Sequence, residues 1–427
     1  MVVLEYLWIA IVFVTMISIL VAAHELGHYL FARLFNMGCE EFAIGFGKPT
    51  LATWMRRRYK IPLKPGQDPM ISQVSEGSAL EGGDKPVERR LVDDGTAIEE
   101  VTDFTVRPWP IGGFVRIKGM MPEEDQSETR IPGGFYSKPP WQRLIVLFAG
   151  PMFSVLAGIL VLVPLYIYKG IDKPVDRPVL GELAKEGPAV RAGLQKGDRI
   201  LTIQGQPIST FYEVLSIVRE SPEVPLRFEY DRQGERRTTV VTPVKDPHPT
   251  MIIGPGLVPT PDTKIQAKIG AGWQVETVQL PFRVAVGEAF QQPVMAVKSL
   301  VAVFAKPARF ETQMGGPATM VAATGALAKQ GVDKVLWLAA MLSISIGIMN
   351  LLPVPPLDGG QMVVAFAEML RGGRRLSIKS QSLANVVGGL FVIALMLGAV
   401  SVDIKRFIEA PGKEAAMKRQ LEGKGGK

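Results

Sequence analysis

Apolar residues along the chain are concentrated in four long segments, which are separated by stretches of mixed polarity. The segments span residues 4–34, 144–168, 335–352 and 383–402. Each is close to the ~20 residues that a helix needs to cross the ~30 Å hydrocarbon core of a bilayer. The chain is therefore predicted to be a polytopic α-helical membrane protein with four transmembrane helices embedded in a lipid bilayer.

Basic residues set the expected orientation of these helices more than the net charge of +7 does. Short loops that are rich in Lys and Arg stay on the cytoplasmic side. Two loops qualify: one follows the first span and one joins the third to the fourth, and their basic residues are Arg56, Arg57, Arg58, Lys60, Arg371, Arg374, Arg375 and Lys379. Residues 169–334 and both termini are then expected to face outward. The basic clusters flank spans and lack interleaved aromatics, so no nucleic-acid partner is expected.

The first span ends in VAAHELGHYLFA, residues 21–32, which contains two of the three histidines of the chain. On a helix, His24 and His28 share a face and can offer both imidazoles to one metal ion, with Glu25 on the adjacent flank. Ionisable groups inside a span are costly and are functional by default, which argues against quiet packing. The pattern predicts a Zn²⁺ site with an open position and Glu25 as the general base.

A catalytic zinc needs a third protein ligand, and two residues are candidates. The remaining histidine, His248, lies in a proline-bracketed segment on the outward side. Asp358 follows NLLPVPPL at the end of the third span, on the side where the first span also ends. Non-helical backbone at membrane depth must be shielded within protein, so this segment is expected near other helices. Asp358 is the better candidate. The single cysteine, Cys39, excludes an internal disulfide and a cysteine-based zinc site.

Two short segments between the first and second spans alternate like strands. They are residues 40–50, EEFAIGFGKPT, and residues 105–119, TVRPWPIGGFVRIKG, which is broken by glycine. One interpretation is a small cytoplasmic β-sheet. The other is an exposed strand edge near the membrane that pairs with an extended peptide. Residues 61–100 between them have no clear period and are predicted to be a loop or a partly disordered insertion.

Residues 177–243 are predicted to form a compact module of strands, two helices and a hairpin that turns at Gln233 and Gly234. The pattern GPA…AGL…GDRI resembles a PDZ domain of the kind common in bacterial proteases. Such a domain implies binding of a peptide or chain end beside a strand. The strand at 179–184 and the helix at 212–219 would form that groove, with Val179, Leu180, Gly181, Glu182, Leu183 and Leu215. A purely structural β-module is the alternative.

These features together resemble the site-2 protease family of intramembrane zinc metalloproteases, in the four-span form of the regulator-of-sigma-E protease group with a single PDZ domain. The resemblance implies an enzyme of the bacterial cytoplasmic (inner) membrane that cuts single-span membrane proteins, typically anti-sigma factors already trimmed on the outer side. It implies Zn²⁺ bound by His24, His28 and Asp358, with Glu25 as catalytic base. The substrate would be handled by Asn350 and by two glycine-rich strands that re-enter the membrane, with Ile44, Gly45, Phe46, Gly47, Gly112, Gly113 and Phe114.

The sequence departs from the usual family pattern at three places. Gln361 stands where many relatives have a histidine, GFGKP replaces GFGP, and residues 61–100 form an insertion. A silent membrane scaffold that displays a PDZ module, and a transporter, are the rival functions. All the catalytic residues are present, and the second and fourth spans lack the paired ionisable groups that a transporter predicts.

The expected fold is thus a polytopic helical membrane protein with a membrane-associated β-sheet and an extracytoplasmic PDZ domain. Its predicted parts are the first span with the histidines (1–35), a cytoplasmic-side loop with re-entrant strands (36–143), the second span (144–168), the PDZ domain (177–243), interfacial helices (279–330), the third span with Asp358 (335–358), the fourth span (383–402) and a polar tail (403–427).

Overall fold

The structure is a computed structural model that describes residues 2–63, 90–91, 95–120, 127–175, 177–184, 186–246, 266–305 and 315–422. It divides into two compact units. The first, called the membrane unit, comprises Met1–Pro164 and Val286–Lys427; the second, called the insert unit, comprises Leu165–Ala285.

The described helices follow one another along the chain as α1 (Val2–Leu34), α2 (Pro140–Tyr168), α3 (Pro188–Arg191), α4 (Phe211–Glu220), α5 (Phe282–Ala305), α6 (Pro317–Ala328), α7 (Val332–Asn350), α8 (Asp358–Leu370) and α9 (Ile378–Glu422). Within the described residues, four helical stretches are long and apolar enough to cross a membrane: Leu7–Leu34, Pro140–Tyr168, Val332–Asn350 and Ile378–Lys405. The protein is therefore a polytopic membrane protein, as the apolar segments predict.

Two predicted helix boundaries are wrong. The predicted third span, 335–358, is not continuous, because α7 ends at Asn350 and Asp358 begins the separate helix α8. Pro353, Pro355 and Pro356 lie in the connection, where proline cannot continue a helix. The predicted fourth span, 383–402, is the apolar part of the longer helix α9, which also takes in most of the predicted tail.

A five-stranded sheet lies between the first two spans in the sequence. Its strands are β1 (Cys39–Phe46), β2 (Ala52–Pro62), β3 (Arg90–Leu91), β4 (Ala97–Val106) and β5 (Trp109–Ile117). Their order is β2-β4-β1-β5, and β3 pairs with β4. Strand β1 is parallel to β4 and antiparallel to β5, with Ile44 opposite Gly113. Strand β5 is thus at an edge of the described sheet, and it packs against α1.

The expected loop or insertion over 61–100 is wrong at its described ends. Strand β2 runs to Pro62, β3 forms a short pair, and β4 begins at Ala97. Strand β2 contains the basic residues that followed the first span, and most of its side chains are exposed, with Ile61 buried near its end. It lacks the alternation of a half-buried strand, which is why periodicity did not identify it. Residues 64–89 and 92–94 lie outside the described residues.

The sheet joins α1 through an aromatic cluster and is stabilised by buried ion pairs. Tyr29 of α1 packs edge-on against Phe42 and Phe104, with ring centroids 6.0 and 5.4 Å apart. Lys118 Nζ lies 2.9 Å from Glu100 Oε1, and both side chains are almost completely buried. A buried ion pair costs desolvation and requires a defined geometry, so this pair holds the chain after β5 against β4 and is weak evidence for added stability.

The insert unit is built from short strands. They are β6 (Ile171–Pro174), β7 (Leu180–Leu183), β8 (Arg199–Ile203), β9 (Gln206–Pro207), β10 (Leu226–Arg232), β11 (Glu235–Val241), β12 (Val244–Asp246), β13 (Gln266–Lys268), β14 (Ala271–Trp273) and β15 (Val275–Val278). Strands β11-β10-β8-β9 form one sheet, and β12-β13, β14-β7 and β15-β6 form pairs. The predicted hairpin turn is confirmed: Gln233 and Gly234 both have positive φ, 56° and 89°, as a tight hairpin turn requires.

The core of this unit is mostly apolar, although the unit also buries Asp198, which pairs with Arg232. Strands β7, β8 and β10 and helix α4 contribute side chains such as Leu180, Ile200, Phe228 and Val214, all almost fully buried. Helix α4 begins at an N-cap, Thr210, whose side chain accepts a hydrogen bond from the Glu213 backbone N–H. Strands and an amphipathic helix were expected here, but the predicted end at 243 is too early, because Ile269 belongs to the core and β14 pairs with β7.

The predicted groove between β7 and α4 is wrong. Strand β7 pairs with β14, about ninety positions further along the chain, and helix α4 packs against β13 and β8 instead. The side chain of Leu180 is buried in the core, so it cannot line a groove. Val179 forms a bridge with Arg199, and Leu183 packs on the core; Gly181 is buried, while Glu182 is exposed and Leu215 is half-buried.

Candidate metal centre and active site

Three potential metal ligands from two helices converge in the membrane unit. His24 and His28 lie one turn apart on α1, and Asp358 is the first residue of α8. His24 Nε2 lies 3.0 Å from Asp358 Oδ2, His28 Nε2 lies 3.4 Å from the same oxygen, and the two nitrogens are 3.3 Å apart. Atoms bound tetrahedrally at ~2.0–2.1 Å are about 3.3–3.4 Å apart, so this donor set fits zinc.

The imidazoles are oriented by helix α2. His28 Nδ1 donates a hydrogen bond to the backbone carbonyl of Val146 at 2.9 Å. A carbonyl can only accept, so the proton is on Nδ1 and the lone pair of Nε2 is directed toward Asp358. His24 Nδ1 lies 2.9 Å from Ser154 Oγ. Outer hydrogen bonds of this kind fix the tautomer and the orientation of metal-binding histidines.

Close packing between α1, α2 and α7 depends on glycine. A Cβ at Gly27 would lie 2.3 Å from the carbonyl oxygen of Ala149, and a Cβ at Gly150 would lie 2.2 Å from His28 Nε2. Gly347 of α7 approaches the Pro151 carbonyl in the same way, and Ser343 Oγ donates to the Ser154 carbonyl at 2.7 Å. Small residues at these crossings allow the backbones of membrane helices to approach closely.

Asp358 is placed by the interrupted segment between α7 and α8. Gly359 and Gly360 pack so tightly against residues 351–355 that a Cβ at either would lie 2.2–2.3 Å from backbone atoms. The carboxylate occupies the N-terminal end of α8, where the helix dipole favours a negative charge. The interrupted backbone therefore places Asp358, but the expectation that the whole proline-rich segment is shielded is wrong: Leu351, Pro353 and Pro356 are exposed, and burial begins at Gly359.

Glu25 contacts the sheet rather than the ligands. Its Oε2 accepts a hydrogen bond of 3.0 Å from the backbone N–H of Val115 in β5. A cavity of about 350 Å³ opens beside it, lined by Val21, His24, Glu25, His28, Phe114, Val115, Ile117, Met120, Ile346, Asn350, Pro356, Leu357 and Asp358. The cavity gives a peptide and a water molecule access to the ligand triad and to the carboxylate of Glu25.

Only some of the other residues expected to bind substrate line the cavity. Asn350 and Phe114 line the cavity, whereas Ile44, Gly45, Phe46, Gly47, Gly112 and Gly113 shape the sheet next to it. Phe46 stacks on Phe114 with ring centroids 5.9 Å apart. Gly112 has a φ of 96°, and a Cβ there would lie 2.7 Å from the Phe46 ring. His248, the rival ligand, lies outside the described residues.

Sequence reasoning missed the groups that support the site. Val146 and Val115 act through backbone atoms, which leave no signature in residue type. Ser154 is polar in an apolar span and four residues after Gly150, so it was the one supporting residue that the sequence could have indicated.

The sequence model of peptidase family M50 matches residues 12–66 and 95–395, most of the chain. The chain belongs to peptidase family M50. This M50 peptidase is 31% identical to the zinc metalloprotease RasP of Bacillus licheniformis over 93% of its own length and 98% of the relative. It is 30% identical to the regulator of sigma-W protease RasP of Bacillus subtilis over the same shares.

Among solved structures, the M50 peptidase is similar to the PDZ domain of an SdrC-like protein from Listeria monocytogenes. The similarity covers 24% of this chain and 93% of that one, at 14% identity and a TM-score of 0.18. Family membership makes the chain a peptidase, and its two imidazoles, carboxylate and adjacent glutamate make it a zinc metalloprotease.

Proposed function

We propose that the protein hydrolyses peptide bonds of single-span membrane proteins in or beside the bilayer, as a site-2 type protease. The observation that carries this is the convergence of His24, His28, Glu25 and Asp358 around a cavity. One side of that cavity is formed by α1, an apolar helix long enough to span a membrane. His24 is 17 residues beyond Leu7, or about 26 Å along α1. The site thus lies near one end of the span.

The chemistry of hydrolysis is shared between the ligand set and Glu25. Zinc held by His24, His28 and Asp358 supplies Lewis acidity that activates water and polarises a peptide carbonyl. The Glu25 carboxylate takes a proton from the attacking water and returns it to the amine that leaves. The Val115 N–H occupies Oε2, so Oε1 of Glu25 is the oxygen left to accept that proton.

A transmembrane substrate must be extended before its backbone can enter this site. Strand β5 is an edge of the described sheet and lies on the cavity, and an extended segment would add to it over residues 111–114, because α1 already contacts Pro110 through Ser18 and Val115 through Glu25. Phe114 and Asn350 would contact its side chains. Strand pairing supplies main-chain hydrogen bonds that the substrate loses when its helix unwinds.

Anti-sigma factors already cut on the outer side are the substrate class we propose. The support is the relative from Bacillus subtilis, whose name describes a regulator of sigma-W.

The insert unit would face outward, as the charge of the loops predicts. As a PDZ-like module, it would bind a peptide or chain end there. Cys39 is the only cysteine, and it is buried. A cysteine introduced at exposed Glu235 therefore gives a clean test with an impermeant maleimide on intact cells, where labelling is expected.

The deciding experiment compares wild-type protein with Glu25→Gln, reconstituted in bilayers with a single-span substrate. Glutamine keeps the shape and the hydrogen bond from Val115 but cannot act as a base. Cleavage is expected to fall by about 10²–10⁴-fold, with the zinc content unchanged. Normal cleavage by Glu25→Gln would reject this mechanism. A wild-type protein that binds zinc and substrate yet never cleaves would instead favour the scaffold function.

A further inference from the structure

A buried ion pair joins α2, the helix that orients the two imidazoles, to α8, the helix that begins at Asp358. The pair lies near the far end of α8 from Asp358. Arg143 is in the first turn of α2, and its Nη2 lies 2.6 Å from Oε2 of Glu368, which is near the end of α8. The side chains are 4% and 0% exposed. The guanidinium also lies over the ring of Tyr136, 5.0 Å from its centroid. We call Arg143, Glu368 and Tyr136 the clasp.

Each helix in the clasp controls part of the ligand set. One turn beyond Arg143, α2 presents the Val146 carbonyl to His28, and two turns further it presents Ser154 to His24. Ten residues before Glu368, about 15 Å along α8, the same helix begins at Asp358. The clasp therefore connects the helix that orients both imidazoles to the helix that supplies the carboxylate.

The end of α8 is held from its other side as well. Glu368 Oε1 accepts a hydrogen bond of 3.2 Å from the backbone N–H of Leu376, just before α9. The guanidinium of Arg375 also lies over the ring of Tyr136, 4.0 Å from its centroid, and Arg375 forms an ion pair with Glu128. Rotation or sliding of α8 would have to break these contacts before it moved Asp358.

Net stability does not explain the pair, because a buried ion pair is often no more stable than apolar side chains of similar volume. What it adds is a required geometry, since a guanidinium and a carboxylate must meet in a defined orientation. We infer that Arg143 and Glu368 are positioning residues, which set the distance between Asp358 and the two histidines and thereby the affinity for zinc. This inference rests on the proposed zinc site.

The test measures zinc affinity of the full chain in detergent or nanodiscs, by competition with a chelating dye. The variant is Arg143→Met with Glu368→Met, which fills the volume and leaves no buried charge unpaired. Its unfolding midpoint is expected to stay near that of the wild type, while zinc affinity falls by up to about tenfold, the lower limit for residues that hydrogen-bond to metal ligands directly. Replacing Asp198 by Asn with Arg232 by Met, an ion pair of the insert unit, is the matched control and should leave zinc affinity unchanged.

Wild-type zinc affinity in a folded double-methionine variant would overturn the inference. If that variant does not fold, zinc affinity is measured in Glu368→Gln alone, because the amide keeps the shape and can still accept from Leu376. A fall in zinc affinity is again expected, and wild-type affinity would again overturn the inference. A wild-type chain without measurable zinc affinity would instead contradict the proposed function. The two failures are thus distinguishable.

Discussion

The interiors of the membrane unit and of the insert unit are stabilised by different kinds of contact. The insert unit has an apolar core of the type found in water-soluble domains, around Leu180, Ile200 and Phe228. The membrane unit also has a buried apolar cluster, around Tyr29, Phe42 and Phe104, but in addition it buries histidines, several ion pairs and a serine and leaves many large apolar side chains exposed. Lipid tails are as apolar as leucine, so hydrophobic burial gives membrane helices little specificity, and polar contacts and close backbone approach replace it.

This difference parallels the proposed division between a metal site in the membrane unit and peptide binding by the insert unit. Polar groups that are fully satisfied in a low-dielectric setting define a rigid, unique arrangement. The metal site requires such an arrangement, and it lies in the unit that has one. A domain with a conventional core can change its surface residues without disturbing its fold, which suits a recognition module.

The largest expected effect is that of Asp358→Ala. Two imidazoles alone leave a catalytic zinc short of its third protein ligand, so zinc content and cleavage should both be lost. His248→Ala should change neither and is the control. Metal analysis of the two purified variants checks this, and stoichiometric zinc in Asp358→Ala would mean that the ligand set is wrongly assigned.

A core substitution in the insert unit should have a large effect that stays within that unit. Phe228 is completely buried, and Phe228→Ala is expected to cost about 3–5 kcal/mol of its stability. Zinc binding by the membrane unit should be unaffected. Limited proteolysis together with zinc titration separates the two, and a parallel loss of zinc would show that the units are energetically coupled.

A smaller effect is expected from Ser154→Ala. The methyl group fits the same space but removes the partner of His24 Nδ1, so zinc affinity should fall by about 10–100-fold without loss of fold. Ser154→Thr retains the hydroxyl, and partial recovery of affinity in that variant would show that the hydrogen bond matters. Unchanged affinity in Ser154→Ala would restrict the orienting role of α2 to the Val146 carbonyl.

The smallest effect concerns Cys39, the first residue of strand β1 in the membrane unit. Burial raises the pKa of its thiol to about 12, because the charged thiolate loses its hydration. From about pH 9, where an unfolded cysteine ionises, to pH 12 the folded thiol keeps its proton. Alkylation by iodoacetamide should therefore stay negligible between pH 7 and 9. Fast modification there would show that the sheet opens.

The sequence predicted what depends on local pattern. Apolar runs locate the spans, and a spacing of four places His24 and His28 on one helical face, so these needed no knowledge of the fold. The pairing of β7 with β14 was not predictable in this way, because the partners lie about ninety positions apart. Assigning the groove to Leu180 failed for that reason.

Charged strands and helix crossings were also beyond periodicity. Strand β2 is exposed along nearly its whole length, so its residues show no alternation that would reveal a strand. The approach of α2 to α1 depends on Gly27 and Gly150, which sequence alone does not pair with specific neighbours. The convergence of His24, His28 and Asp358 was thus predictable, and the groups that support them mostly were not.

The hydrogen bond from the Val115 N–H to Glu25 has an evolutionary consequence. Its donor belongs to the backbone, and every residue except proline provides it. This hydrogen bond therefore restricts position 115 only against proline, whereas packing of the Val115 side chain on the apolar cluster of the membrane unit favours a hydrophobic residue there. A hydrophobic substitution at position 115 thus changes the packing next to the proposed catalytic base without removing the base's hydrogen-bond donor.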